Sequence, residues 1–360
     1  MNRRSSSRIF LPALAVGLAF TSPGPWDKPA FQPSPGTILT KEFTTEFDVS
    51  LDDLSLTVNG QDIAEMIGQL EFTIGSEGKI GVTDTYKAIA DGRPTELLRT
   101  FDSLRSMTRM ELSPGQIPEP EVTGKSELEG KTVRFQWNEE EQSYDCTFGD
   151  DKGDETLLEG LREDMDYRVF LPKADVKVDD EWNVVLTDLG DVMMPGGNLR
   201  VLPEGMKADE ETMRVLEDLM ARFGDKSEEL LDGTCVCTYK GEHDEDGTRV
   251  AEIALEIEVN ASLDMSEFLN TAIQDAIEKS GAGEAVQFNL DTADFDLDFS
   301  GSGTLLWNVG VGRAHSFQAS GDLTIHFDLV VGIEAKGESQ DMEASAELSG
   351  TLRQSALVKE

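Results

Sequence analysis

Leu323-Thr-Ile-His-Phe-Asp-Leu-Val-Val331 is the stretch that decides the architecture. Leu323, Ile325, Phe327, Leu329 and Val331 alternate with Thr324, His326 and Asp328, a period of two that describes a strand with one buried face. The same beat extends in both directions. Phe295, Leu297 and Phe299 alternate with aspartates, and Leu305, Trp307, Val309 and Val311 run into a Gly312-Arg313 turn. Ile253, Leu255, Ile257 and Val259 are separated by Ala254, Glu256 and Glu258, behind Cys235, Cys237 and Tyr239. In the N-terminal half, Phe47, Val49 and Leu51 are followed by Leu54, Leu56 and Val58 before Asn59-Gly60. Leu70, Phe72 and Ile74 turn through Gly-Ser-Glu-Gly-Lys to Ile80 and Val82, and Val133, Phe135 and Trp137 face Tyr144, Cys146 and Phe148. Strands covered on both faces read as continuous apolar runs, so strict alternation means antiparallel pairing. The expected fold is mainly β (α+β): a large curved antiparallel sheet or half-barrel of about twelve strands, backed by a few helices.

Four segments read as helical. Leu97, Leu98, Phe101 and Leu104 form a stripe behind Pro94; Leu157, Leu158, Leu161 and Met165 form a second; Met213, Leu216, Met220 and Phe223 form a third. The fourth is residues 264–280, where Met265, Phe268, Leu269, Ala272, Ile273, Ala276 and Ile277 keep helical spacing and Gly-Ala-Gly closes the run.

Arg3, Arg4 and Arg8, then the apolar run Ile9 to Phe20 with small residues at Gly17 and Ala19, read as a signal peptide over 1–20. Residues 21–36 are proline-rich and read as a linker. The remainder, 37–360, reads as one large β-rich domain or as two lobes, 37–200 and 232–360, joined by a helical segment 203–231. The signal, with no lipid-attachment cysteine and no long apolar span, gives an expected periplasmic or extracellular location.

The chain of 360 residues carries 31 basic and 71 acidic residues, a formal charge of −40. That excludes nucleic acid and anionic membrane as expected partners. Area scaling spaces the net charges roughly 18 Å apart, beyond the ~8 Å screening length of physiological salt but inside the ~30 Å of dilute buffer. A saline exterior suits such a surface.

No G-x-S-x-G elbow, H-E-x-x-H helix, Walker loop or dinucleotide fingerprint is present, and His243, His315 and His326 are the only histidines. No catalytic residue and no cofactor is expected. Calcium is the one ion that the acidic loops could take, through Asp150, Asp151 and Asp154 in one loop and Glu242, Asp244 and Asp246 in another, although neither has EF-hand spacing. Cys235 and Cys237 share a strand face and cannot easily bridge each other. Pairing of one with Cys146 stays open beside three small buried thiols.

Val176-Lys-Val-Asp-Asp-Glu-Trp182 and the closing series from Gly301-Ser-Gly-Thr-Leu-Leu-Trp307 through Phe327 carry a resemblance. In plan the chain resembles secreted bacterial proteins with a long sheet backed by helices, similar to the lipoprotein-carrier (LolA/LppX-like) fold. That resemblance implies a concave apolar face that holds acyl chains. The residues themselves place Phe268, Ile273, Ile277, Trp307 and Phe327 either in plain core or around an apolar pocket between sheet and helix. The expected function is an exported soluble, non-enzymatic structural or binding protein whose partner is an apolar small molecule or lipid. A calcium-dependent surface or matrix protein and a hydrolase with a carboxylate-based site are the alternatives.

Overall fold

The computed structural model describes residues 28–63, 70–113, 121–150, 152–204, 230–280, 286–335 and 338–360. Its strands are β1 (Ile38–Val58), β2 (Gln61–Asp62), β3 (Glu71–Ala90), β4 (Arg93–Ser113), β5 (Glu121–Lys125), β6 (Thr132–Asn138) and β7 (Ser143–Phe148), then β8 (Glu181–Val184), β9 (Leu202–Pro203), β10 (Leu231–Glu245), β11 (Thr248–Asp264), β12 (Val286–Asn308), β13 (Arg313–Ala335) and β14 (Glu338–Lys359). All belong to one antiparallel 14-stranded sheet, ordered β7-β6-β4-β3-β1-β14-β13-β12-β11-β10-β8, with β2, β5 and β9 attached beside this path. The sheet is open, and its edges are the short strands β7 and β8, which limits edge-to-edge pairing. β1 and β14 meet in the middle, so strands from both halves of the chain share one sheet. The mainly β, large antiparallel architecture expected from the alternation is what the structure has.

Register aligns the apolar parity of every strand on one inner face. Leu51 of β1 stands opposite Leu348 of β14, which stands opposite Ile325 of β13 and then Leu297 of β12. The opposite parity is largely polar, with serine, threonine, aspartate and glutamate prominent in β1 and β12. At one end of the long strands the inner face is covered by irregular chain from 126–131, 152–180 and 185–201, which contributes Leu128, Met165, Tyr167, Phe170, Leu189 and Val192 to the same core as Phe43, Tyr86, Phe101 and Phe317. Helix Ser266–Ser280 sits elsewhere, against β12, where Met265 and Leu269 meet a small separate core of Leu290, Ala293 and Val331.

Two helical readings give way. Residues 94–104 are part of β4, where Leu97, Arg99 and Phe101 point inward and a register shift at Asp102 returns Leu104 to the same face. A charged residue on the buried parity plus one extra residue imitated a 3.6-residue period. Residues 157–165 supply only the end of the 3₁₀ turn Glu155–Leu158. The third stripe, Met213 to Phe223, and most of 203–231 lie outside the described residues.

The polar residues on the inner face tie the irregular segment down. Lys41, Asp84 and Arg99, on β1, β3 and β4, are fully buried. Lys41 Nζ lies 2.8 Å from Asp84 Oδ2 and 2.6 Å from Asp166 Oδ1. Arg99 grips Asp84 with two parallel bonds of 2.7 and 2.8 Å and donates to the carbonyls of Arg162 at 3.1 Å and Glu163 at 2.9 Å. Tyr86 donates its hydroxyl to Asp166 at 2.8 Å. Further along, Gln354 Nε2 donates to Val192 O at 2.5 Å, and Ser126 Oγ donates to Leu199 O at 2.5 Å. Burial alone would raise Asp84, but Arg99 and Lys41 beside it hold its carboxyl down at about 2. On Glu163 burial prevails, pushing it up to about 7 although Arg168 donates to its Oε2; Oε1 is buried and has no hydrogen-bond partner among the described residues.

Glu163 therefore binds a proton in the fold that it has lost in the unfolded chain, from about pH 4.5 up to about 7. Stability from this residue is present in full below the unfolded value and is lost as pH rises through the folded one; Asp84 has the opposite sign, losing its contribution only as pH falls toward 2. We expect Glu163→Gln to remove a decline of about 3 kcal/mol at most across pH 4.5–7.5. Chemical denaturation at several pH values checks this, and an unchanged slope in the variant refutes it.

Candidate functional site

At the end of the sheet where β12 turns into β13, residues 28–37 cross the rim. Pro29, Phe31 and Pro33 are buried. Phe31 packs edge-on to Tyr86 with ring centroids 5.7 Å apart, lies 6.4 Å from Trp307, and carries the Arg168 guanidinium 5.2 Å above it. Trp307 Nε1 donates to Ala30 O at 3.3 Å, and Gln32 N donates to Gly312 O at 2.8 Å. Gly312 has φ +64°, and a Cβ there would stand 2.8 Å from Gln32 N and 3.0 Å from Ala30 O. Only glycine brings the hairpin this close to the crossing segment.

This seam borders a cavity of about 890 Å³ whose walls include Lys28, Arg249, Trp307, Val311, Arg313 and Glu360. Lys28 Nζ donates to Lys173 O at 3.0 Å, and Arg249 pairs with Glu242. Arg313 is different. Its side chain is 9% exposed, its Nη2 donates to Glu360 Oε1 at 3.1 Å, and its Nε and Nη1 are buried with no hydrogen-bond partner among the described residues. A guanidinium stays charged in any protein environment, so unfilled buried donors on it ask for an acceptor.

A second cavity, about 360 Å³ and mostly apolar, lies between the inner sheet face and the turn of residues 186–194, walled by Leu189, Val192, Met193, Ile257, Phe299 and Phe317. None of the five residues expected to line an apolar site borders it. Phe268 and Ile273 are half-buried on the helix, and Ile277 has no described side-chain environment. Trp307 is core at the rim, whereas Phe327 pairs with Phe295 and Ala346 thirteen residues along β13 from Ala314, the partner of Trp307. That separates Phe327 from Trp307 by roughly 40 Å, so the five do not form one site.

The acidic loops are used locally. Asp154 caps the 3₁₀ turn by accepting from Thr156 N at 3.1 Å, Asp150 accepts from Lys152 N at 3.3 Å, and Asp244 accepts from Gly247 N at 2.8 Å. Glu242 pairs with Arg249, Asp246 occupies the hairpin turn with φ +49°, and Asp151 lies outside the described residues. Among the described residues no group of three or more His, Cys, Asp or Glu side chains is placed to hold a metal ion. His326 is 39% exposed on the polar face, 3.1 Å from Asp328. The three cysteines are free thiols, two of them buried.

No family model matches the sequence, and no curated protein matches it. Among solved structures, the outer membrane protein OprG from Pseudomonas aeruginosa matches with 5% identity over 91% of this chain and 99% of that one, at a TM-score of 0.19. A mutant of the Rh. blastica porin matches with 9% identity over 88% and 99%, at a TM-score of 0.13. Scores of that size transfer neither a closed barrel nor a pore to this chain. The neighbours are an outer membrane protein and a porin and not lipoprotein carriers, and the carrier resemblance is corrected accordingly. The fold agrees with the correction, because irregular chain rather than helix covers the main apolar face. The reading of an exported soluble protein with an apolar ligand between sheet and helix, and its secreted and lipid-binding character, is corrected with it. Among the described residues no helix is long and apolar enough to cross a membrane.

Arg313 and the segment around Phe31 escaped the sequence reading. The signals were present: Phe31 is the one large apolar residue between Pro29 and Pro33, and Arg313 is a cation directly after a turn in an acidic chain. Gly312→Ala should lift residues 28–36 from the rim, lowering stability by about 2–3 kcal/mol and moving tryptophan emission to the red. Unchanged melting and emission would show that the seam does not hold the segment.

Proposed function

We propose that the chain is a binding protein for a small organic anion, whose charged oxygens are taken by Arg313 at the rim of the sheet. The observation that carries this reading is Arg313 beside a cavity of about 890 Å³, its guanidinium buried with two donors that no described residue fills. Glu360 balances the guanidinium at Nη2, and the donors that no described residue fills ask for further acceptor lone pairs, which a carboxylate or phosphate supplies. The chain's field works against any anion at long range, so the site relies on short-range contacts rather than on steering. Lys28 and Arg249 in the same wall add positive charge near the entrance, balanced there by Asp175 and Glu242. The basic, apolar and small-residue order of residues 1–20 supports action on the far side of an inner membrane.

Titration calorimetry at about 0.15 M ionic strength, with inorganic phosphate and separately with acetate, tests the reading. The native chain should bind at least one probe, and Arg313→Gln should weaken that binding by about tenfold or more. Equal affinity in the variant, or no binding of either probe to the native chain, overturns it.

A further inference from the structure

Arg168 and Glu163 are one bond short of a complete pair. Arg168 Nη2 donates to Glu163 Oε2, while Arg168 Nε and Glu163 Oε1 are both buried and have no hydrogen-bond partner among the described residues. Nε and Nη2 form the side edge of a guanidinium, the edge that meets both oxygens of an ionised carboxylate. Here the guanidinium lies instead 5.2 Å above the ring of Phe31, with Nε 3.1 Å from Asp164 Oδ1 but not aligned for a hydrogen bond. A half-made fork suits a protonated carboxyl, and burial pushes Glu163 up to about 7. We infer that Glu163 and Phe31 compete for the Arg168 guanidinium: the protonated carboxyl leaves it over the ring, whereas the ionised carboxylate completes the fork, draws it away and loosens residues 28–36 from the rim.

Among the described groups around Glu163, Arg168 is the cation left to answer the new charge. Arg99 on β4 is spent on Asp84 and on the carbonyls of Arg162 and Glu163, and Lys41 on β1 is shared by Asp84 and Asp166. Tyr144 on β7 faces the carboxyl, but its hydroxyl donates to Pro94 O at 2.7 Å, and Tyr86 on β3 donates to Asp166. Asp164 and Asp166, in the same segment as Glu163, add only negative charge. The Lys41 and Arg99 bonds hold the backbone of that segment without Arg168, so the change is confined to the guanidinium and to what rests on it. Phe31 keeps Tyr86 and Trp307 as neighbours and is held less tightly. The docked state binds the proton more strongly, so docking is firmest in acid and weakens as pH rises through about 7. Pro29, Ala30 and Gln32 also wall the rim cavity, so the same proton tightens or slackens that wall, whatever the cavity binds.

Amide exchange of the full chain at about pH 5 and about pH 8, corrected for the intrinsic rate at each pH, reads the docking of this segment. The reporters are Gln32 N and Gly36 N, which donate to Gly312 O at 2.8 Å and to Tyr86 O at 2.6 Å. Their protection should fall about two- to tenfold from the lower pH to the higher, the size of one lost cation–π contact. Glu163→Gln, neutral at both values, should abolish the fall. Phe31→Leu, which keeps an apolar anchor but offers no ring face, should abolish it too while Glu163 still titrates. Unchanged protection in the native chain overturns the inference. A fall that persists in Glu163→Gln overturns Glu163 as the sensor, and one that persists in Phe31→Leu overturns the route through the ring.

Discussion

The structure depends on four charged side chains that water cannot reach. Lys41, Asp84, Arg99 and Asp166 join three neighbouring strands to an irregular segment, and the segment has little regular hydrogen bonding of its own. Breaking one partner of such a cluster leaves an uncompensated buried charge, at a cost of about 3–5 kcal/mol. The cluster is therefore weak evidence for extra stability but strong evidence for position. It fixes which part of a long apolar face the segment covers, and a purely apolar contact could slide.

That division of labour isolates Arg313. The other buried polar residues of the described chain, Lys41, Asp84, Arg99, Ser126, Glu163, Asp166 and Gln354, all belong to the contact between the sheet and the irregular chain that covers it or lie within that chain. Arg313 lies at the rim, bonded to one exposed carboxylate. The rim is nonetheless built on the same core: Phe31 touches Tyr86, and Tyr86 donates to Asp166, so the crossing segment and the ion cluster share a wall. A site built on a partly unpaired guanidinium still needs such a rigid backing.

Much of the fold was readable in the sequence because alternation is a local signal. Leu323 to Val331 and Ile253 to Val259 show their strands directly, and the helix at 266–280 shows its stripe. Residues 94–104 misled because Arg99 sits on the apolar parity and Asp102 adds a residue, and both make sense only once Asp84 and residues 162–163 are brought alongside. Lys41 between Leu39 and Phe43 is the same signal, a charge on the buried beat that marks a long-range partner without naming it. The anticipated apolar site failed for a geometric reason. Residues sharing a parity on 23-residue strands can be tens of ångströms apart, and helical amphipathicity does not say which stretch of sheet a helix covers.

Amide hydrogen exchange of the native chain tests the central role of the buried ions most directly. If Lys41, Asp84, Arg99 and Asp166 lock residues 161–171 to the sheet, amides in that stretch will be protected on the time scale of β3 and β4, although its one regular element is the 3₁₀ turn Arg168–Phe170. Exchange of 161–171 at the rate of an exposed loop, while β3 and β4 stay protected, would contradict it.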